Sequence, residues 1–264
     1  MGRNPRKKGT PCKPRRIYGR QAVQEHLRAL PHQVQELYLL PTLQGTPVDQ
    51  LARQAAVPIR YESPAFFDTF AQGGVHQGIA ARLCPFPFAS LQSILAKGAD
   101  FLLILDEILD PRNLGALLRT AEAVGVGGVI LPADRSAPLS PLVEKTAAGA
   151  TAYLSICRVE NLARALTAVR EAGYWLVGLS PDAPQTLYEL GLSQRIALVL
   201  GGEERGLRSL TRQKCDCLIA IPMQGRIKSL NVSVAGAVAL YEFLRRKMQR
   251  DTMLLTSSEE PDSI

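Results

Sequence analysis

The sequence predicts an α/β protein in which a small α/β domain precedes a larger parallel sheet covered by helices. Two observations carry this. From Asp100 onward, short continuous apolar runs alternate with helix-patterned segments, and strands that are apolar on both faces belong in parallel sheets buried under helices. Before Pro85 the runs are mixed, with apolar and polar residues alternating as in a half-buried strand, and Pro85 and Pro87 separate the two rhythms. With 264 residues, 46% of them hydrophobic, the chain can bury one large or two modest cores.

Taken in order, residues 21–30 read as a short helix and 34–40 (VQELYLL) as a half-buried strand. A helix over 48–56, a strand over 57–61, a short helix over 64–70 and a strand over 78–83 complete the first domain. After the Pro-Phe linker another helix is expected at 91–97. Buried strands follow at 101–105, 128–131, 152–156, 175–179, 196–200 and 218–221, with helices at 115–124, 141–148, 161–172 and 207–213 between them. The domain plan is therefore a basic leader over 1–16, a first domain over 17–84, a linker over 85–98, a second domain over 99–250 and an acidic, Ser-rich tail over 251–264.

The net charge of +7 is concentrated in the leader. Arg3, Arg6, Lys7, Lys8, Lys13, Arg15, Arg16 and Arg20 fall within the first twenty residues, with no acid among them, which leaves the rest of the chain close to neutral. Such a leader is expected to be disordered alone and suits either a salt-sensitive contact with nucleic acid phosphates or a solubilising role. No apolar run approaches the roughly 18 residues of a membrane span, and the basic N-terminus lacks a signal peptide's apolar stretch, so a cytoplasmic protein is expected. Five cysteines without paired C-x-x-C spacing indicate neither a disulfide framework nor a zinc site.

Three stretches at strand C-terminal ends, where ligands collect in α/β sheets, stand out. The first is LDEILDPRNLGALLRTAEAVGV, in which Asp110 and Pro111 make a turn, Asn113 is placed to cap a helix and Arg119 lies one and a half turns into it. A guanidinium there faces a phosphate or a partner subunit, or is simply a surface Arg. The second is LVLGGEERGL, where Gly201, Gly202 and Gly206 let the backbone bend round a ligand and expose its amides. It lacks both the G-x-G-x-x-G of dinucleotide-binding folds and the G-K-[ST] of a phosphate loop. The third, IPMQGRIKSLNVSVAGAVALYE, joins a polar turn of Ser229, Leu230 and Asn231 to a helix apolar nearly all round, so the helix is expected to be buried and its polar entrance to open into the interior.

In this order, the three stretches resemble the SpoU-type ribose methyltransferases of the knotted SPOUT class, and within them the large-subunit rRNA guanosine 2′-O-methyltransferases. The resemblance extends to YGRQAVQEHL and HQGIAA, which look like that family's N-terminal RNA-binding domain, similar in fold to ribosomal protein L30e. It implies a C-terminal deep trefoil knot, an exception to the rule that chains avoid knots, and a homodimer in which two subunits complete each active site. It implies S-adenosyl-L-methionine as cofactor, held by backbone groups around Gly201, Ile221 and Leu230, and methyl transfer to an RNA ribose 2′-hydroxyl without a metal. Arg119 is then the base that activates the hydroxyl, or a phosphate clamp that lowers its pKa, since a guanidinium is rarely neutral. Asn113 fixes the Arg or the ribose, Ser229 and Asn231 orient substrate or cofactor, and Glu203 is an anchor within the knot or a structural carboxylate.

A tRNA ribose methyltransferase shares these motifs, and the small N-terminal domain argues for rRNA instead. The intact set of Asn113, Arg119, Glu203, Ser229 and Asn231 argues against a noncatalytic RNA-binding or ribosome-assembly protein, and the missing glycine fingerprint against an oxidoreductase. His76 reads as a turn or RNA-contacting residue, and Trp175 as core.

Overall fold

Pro87 and Phe88 mark the seam between two units of the computed structural model, which describes residues 14–191 and 195–257. Most of the expected leader and the end of the expected tail lie outside the described residues. Arg15 and Arg16, counted with the leader, belong to a strand too short and too basic to show in the sequence: β1, Arg15–Tyr18.

The first unit continues with α1 (Arg20–Ala29), β2 (Val34–Leu39), α2 (Pro47–Gln54), β3 (Ile59–Tyr61), α3 (Pro64–Phe70) and β4 (Ile79–Leu83). Its sheet has the order β1-β4-β2-β3, antiparallel except for the β2/β3 pair. Strand alternation sends Ile17, Leu37, Leu39, Ile79, Ala81 and Leu83 to one face, where Val23 and Leu27 of α1 and Val48 and Ala52 of α2 cover them. Tyr18, Tyr38 and Ala80 point the other way, onto Phe67 and Phe70 of α3. His76 serves the turn before β4: its Nδ1 accepts from the Gly78 amide at 3.0 Å, and its ring stacks on Phe67.

The second unit runs α4 (Leu91–Leu95), β5 (Phe101–Asp106), α5 (Pro111–Ala123), β6 (Val129–Pro132), α6 (Pro141–Thr146), β7 (Ile156–Val159), α7 (Leu162–Glu171), β8 (Tyr174–Leu179), β9 (Gln185–Thr186), β10 (Arg195–Gly201), α8 (Ser209–Lys214), β11 (Cys217–Ala220) and α9 (Val232–Ser257). The sheet order is β7-β6-β5-β10-β8-β11-β9, and every pairing is parallel. Leu102, Ile104, Ile130, Leu176, Ala197 and Val199 pack with Leu166 and Val169 of α7 and Ile94 of α4. Each of the buried Val, Leu and Ile side chains contributes about 1.5–3 kcal/mol. Helices begin at polar caps, with Ser90, Ser140 and Asn161 each accepting from the amide three residues on, in the first turn.

Three expectations are corrected. The strand expected at 152–156 starts at Ile156, because Gly149 at φ +94° turns Ala150–Ala152 into a 3-10 helix and Ile156 is the first residue in register with β6. Helix α9 is not buried all round: Ala239, Leu240 and Phe243 are enclosed, while Val234, Tyr241 and Met248 are 49%, 52% and 61% exposed. Spaced by seven, those three share a face that α5 and the sheet do not cover. The helix also runs to Ser257, so the segment expected as a tail from Asp251 starts as helix. Trp175 is half-buried in β8, as a core strand position allows.

Candidate active site

Three strand ends bring the site together, beginning with β5. The chain leaves the strand at Asp106, turns at Glu107 in the left-handed region (φ +64°) and enters α5 at Asp110, whose Oδ1 accepts from the Arg112 amide at 2.8 Å. Pro111 takes the first helical position, where its lack of an N–H costs nothing. The helix thus starts four residues before the expected Gly115, and Asp110 rather than Asn113 is its cap. Relieved of that role, the Asn113 side chain in the first turn is available to reach across, although the residue is only 8% exposed.

At the end of β10, Gly201 stands beside Asp106 in parallel register. A Cβ on Gly201 would lie 2.1 Å from the Gly206 carbonyl carbon and 2.2 Å from the Leu207 nitrogen, so the returning loop leaves room only for glycine. Gly202 is confined by the Glu107 carbonyl oxygen, 2.5 Å from where its Cβ would be. The loop closes with the Gly206 amide donating to the Gly202 carbonyl at 2.9 Å. Glu203 projects from this loop and its Oε1 accepts from Asn113 Nδ2 at 2.7 Å.

Beyond β11 the chain returns to α9, capped by Asn231, whose Oδ1 accepts from the Ser233 amide at 2.9 Å and the Ser233 hydroxyl at 2.6 Å. Asn231 Nδ2 donates to Asn113 Oδ1 at 3.0 Å. One line of hydrogen bonds therefore runs Ser233–Asn231–Asn113–Glu203 through all three motifs. Its polarity is fixed at the α9 end, because a helix amide only donates, so both intervening amides have one permitted orientation.

The remaining site residues of the sequence reading stand apart from this line. Arg119 is exposed, six residues after Asn113 and hence about 240° round α5 at roughly 100° per residue. Ser229 and Leu230 are exposed and Ile221 is half-buried. The expected interior entrance is therefore a surface one: residues 222–231 carry Gln224, Arg226, Lys228 and Ser229 and join no strand or helix. Among the described residues, the backbone groups of 222–230 make no hydrogen bond with other backbone groups.

Asp106 and Arg208 were missed by the sequence reading. Asp106 is fully buried at the end of β5 and accepts from Arg208 Nε at 2.7 Å, closing an ion pair at 2.6 Å across the base of the glycine loop. An acid ending an apolar strand and a base just past a glycine loop were the available signals. Cys215 and Cys217 are held as thiols by burial, their pKa values pushed up to about 12 and about 11. No cluster of three or more His, Cys, Asp or Glu suited to a metal occurs among the described residues.

Residues 100–241, which include Asn113, Arg119, Glu203, Ser229 and Asn231, match the model of the SpoU rRNA Methylase family. The chain belongs to that family. Residues 16–89 match the model for RNA 2′-O ribose methyltransferase substrate binding. The 23S rRNA (guanosine-2′-O-)-methyltransferase RlmB of Escherichia coli strain K12 is 42% identical over 238 residues, 88% of this chain and 98% of the relative. The RlmB of Pseudomonas aeruginosa is 41% identical over 240 residues, 88% of this chain and 96% of the relative. Among solved structures, an AdoMet-bound rRNA methyltransferase from Sinorhizobium meliloti superposes with a TM-score of 0.74 at 23% identity, covering 88% of this chain and 87% of that one, which shows a shared fold. No helix among the described residues is long and apolar enough to cross a membrane.

Proposed function

We propose that the protein transfers a methyl group from S-adenosyl-L-methionine to a ribose 2′-hydroxyl of RNA, a guanosine of 23S rRNA. The observation that carries this is the Glu203–Asn113–Asn231 line, which unites the family's three motifs in a chain 42% identical to RlmB along almost its whole length. The full-length match, N-terminal domain included, favours rRNA over tRNA.

The residues present fit the cofactor. Residues 222–230 offer unpaired backbone donors and acceptors for the edge of an adenine, and Ile221 and Leu230 offer apolar contact for its face. When bound there, S-adenosyl-L-methionine supplies an electrophilic methyl group on a sulfonium. Gly201 shapes the wall of that site, and Asn231, oriented by the Ser233 amide and tied through Asn113 to Glu203, presents its polar groups beside it. Ser229 adds a hydroxyl at the same turn. A weakly acidic ribose hydroxyl needs a base or a positive field. Arg119, turned away from its own chain's line, supplies this to the site of a second subunit, as base or as phosphate clamp.

The homodimer this requires is supported by the exposed apolar face of Val234, Tyr241 and Met248, together with the exposed Leu230 and Ile227. The return of the chain from β11, beyond β8, to pack α9 on α5 is compatible with a trefoil knot. Residues 17–84 serve as the RNA-binding domain of L30e-like fold, 99–250 as the methyltransferase domain, and the protein works in the cytoplasm on ribosomal RNA. Tritiated S-adenosyl-L-methionine incubated separately with unmodified 23S rRNA and tRNA tests the reading: label is expected in rRNA at a guanosine ribose, and label in tRNA alone, or in neither, overturns it.

A further inference from the structure

The two faces of the N-terminal sheet are covered unequally. One is closed by α1 and α2, and the other carries only α3, over the row Tyr18, Ala80 and Tyr38. The neighbouring row on that second face consists of Arg16, Arg82 and Glu36, directly opposite one another across β1, β4 and β2. Arg16 and Arg82 are both exposed, and like charges facing each other across an antiparallel pair destabilise it.

The only acid of the row does not relieve them. Glu36 accepts from the Tyr38 hydroxyl at 2.5 Å through one oxygen and pairs through the other with Arg60, whose side chain is 66% exposed on the adjacent strand. Arg16 lies 5.6 Å from the Phe70 ring centroid, an arrangement that fixes its guanidinium without neutralising it. In this row and beside it, Arg16, Arg82 and Arg60 stand against one carboxylate, Glu36, that is already committed. The residues that precede β1 in sequence include Arg3, Arg6, Lys7, Lys8 and Lys13. A regular polyanion complements this pattern, and rows of guanidinium groups suit its phosphates.

We propose that this face, floored by Arg16 and Arg82 and flanked by Arg60, docks the phosphodiester backbone of the RNA substrate. The inference rests on the RNA methyltransferase reading and adds the surface by which the N-terminal unit holds RNA. The contact is electrostatic and positions the RNA through its phosphates.

The test is binding of an unmodified 23S rRNA fragment to the full chain over a salt series, without turnover, for wild type, the double variant R16Q/R82Q and R28Q. Arg28 is an exposed arginine on α1, on the covered side of the sheet. R16Q/R82Q is expected to bind on the order of tenfold or more weakly, with the slope of log affinity against log salt reduced by roughly 0.7–0.9 per arginine. R28Q is expected to bind within about twofold of wild type, and both variants to keep wild-type affinity for S-adenosyl-L-methionine, which shows that they fold. Wild-type affinity and slope in R16Q/R82Q, or an equal loss in R28Q, overturns the proposal. A wild type that binds rRNA through these arginines but labels no RNA overturns the methyltransferase reading and leaves the surface standing.

Discussion

Asn113 and Glu203, 90 residues apart in sequence, are joined by a 2.7 Å hydrogen bond from the amide Nδ2 to the carboxylate Oε1. That bond ends the line in which the donating Ser233 amide orients Asn231 and Asn231 orients Asn113, and it holds the Asn113 side chain in place. A Gln at 203 still presents an accepting oxygen. E203Q is therefore expected to keep single-turnover methylation within about tenfold with an unchanged pH profile, whereas E203A, which leaves Asn113 Nδ2 without its acceptor and loosens the side chain, is expected to fall about a hundredfold. If Glu203 carries a proton, E203Q loses as much as E203A, in the range of about 10²–10⁴ typical of general acid–base groups.

Arg119 and the hydrogen-bonded line occupy different faces of α5. R119A and N113A should each be nearly inactive as homodimers. Co-assembled at random they should recover about a quarter of wild-type activity, because half the dimers are mixed and each mixed dimer has one intact composite site. No recovery in verified mixed dimers would mean that Arg119 acts within its own chain.

Gly201 and Gly125 separate two kinds of glycine requirement. An Ala at 201 collides with backbone of the returning loop, and G201A should lose about 1–3 kcal/mol or more of stability together with affinity for S-adenosyl-L-methionine. Gly125 has φ +72° and nothing within 4 Å of its missing Cβ, so G125A should cost only the left-handed penalty of about 1–2 kcal/mol and leave that affinity unchanged. Thermal unfolding and calorimetric titration of the two variants make the comparison.

Glu242 in α9 binds Arg245 through both oxygens, each at 2.8 Å, and Arg246 at 2.5 Å. The Arg245 hydrogen bonds hold its pKa near 2 against an opposing effect of burial, below the ordinary 4.5. A depressed carboxylate pKa contributes stability that is complete above the unfolded value and is lost as pH falls through the folded value. The difference in unfolding midpoint between wild type and E242Q should be full above about pH 4.5 and close as pH falls toward 2. A difference that stays constant over that interval would show that Glu242 is not ionised in the fold.

Much of the fold was legible because apolar periodicity reports burial directly: FLLIL and IALVL became the neighbouring central strands β5 and β10. Boundaries were less so where backbone geometry outweighed composition, as at Gly149, which delays β7 to Ile156. At the site, the Asp110-Pro111 pair was read as a turn, but its capping of α5 was not, and that capping is what leaves Asn113 free to bridge two other motifs.

By itself the sequence determined two α/β units, the parallel character of the second sheet and the three motifs at its strand ends, because hydrophobic pattern and local turn chemistry are written in neighbouring residues. Only the tertiary structure decided that Glu203, Asn113 and Asn231 form one line while Arg119 faces away, and that α9 keeps an exposed face. Hydrogen bonds spanning 90 and 118 positions depend on strand order and loop return, which no local pattern encodes.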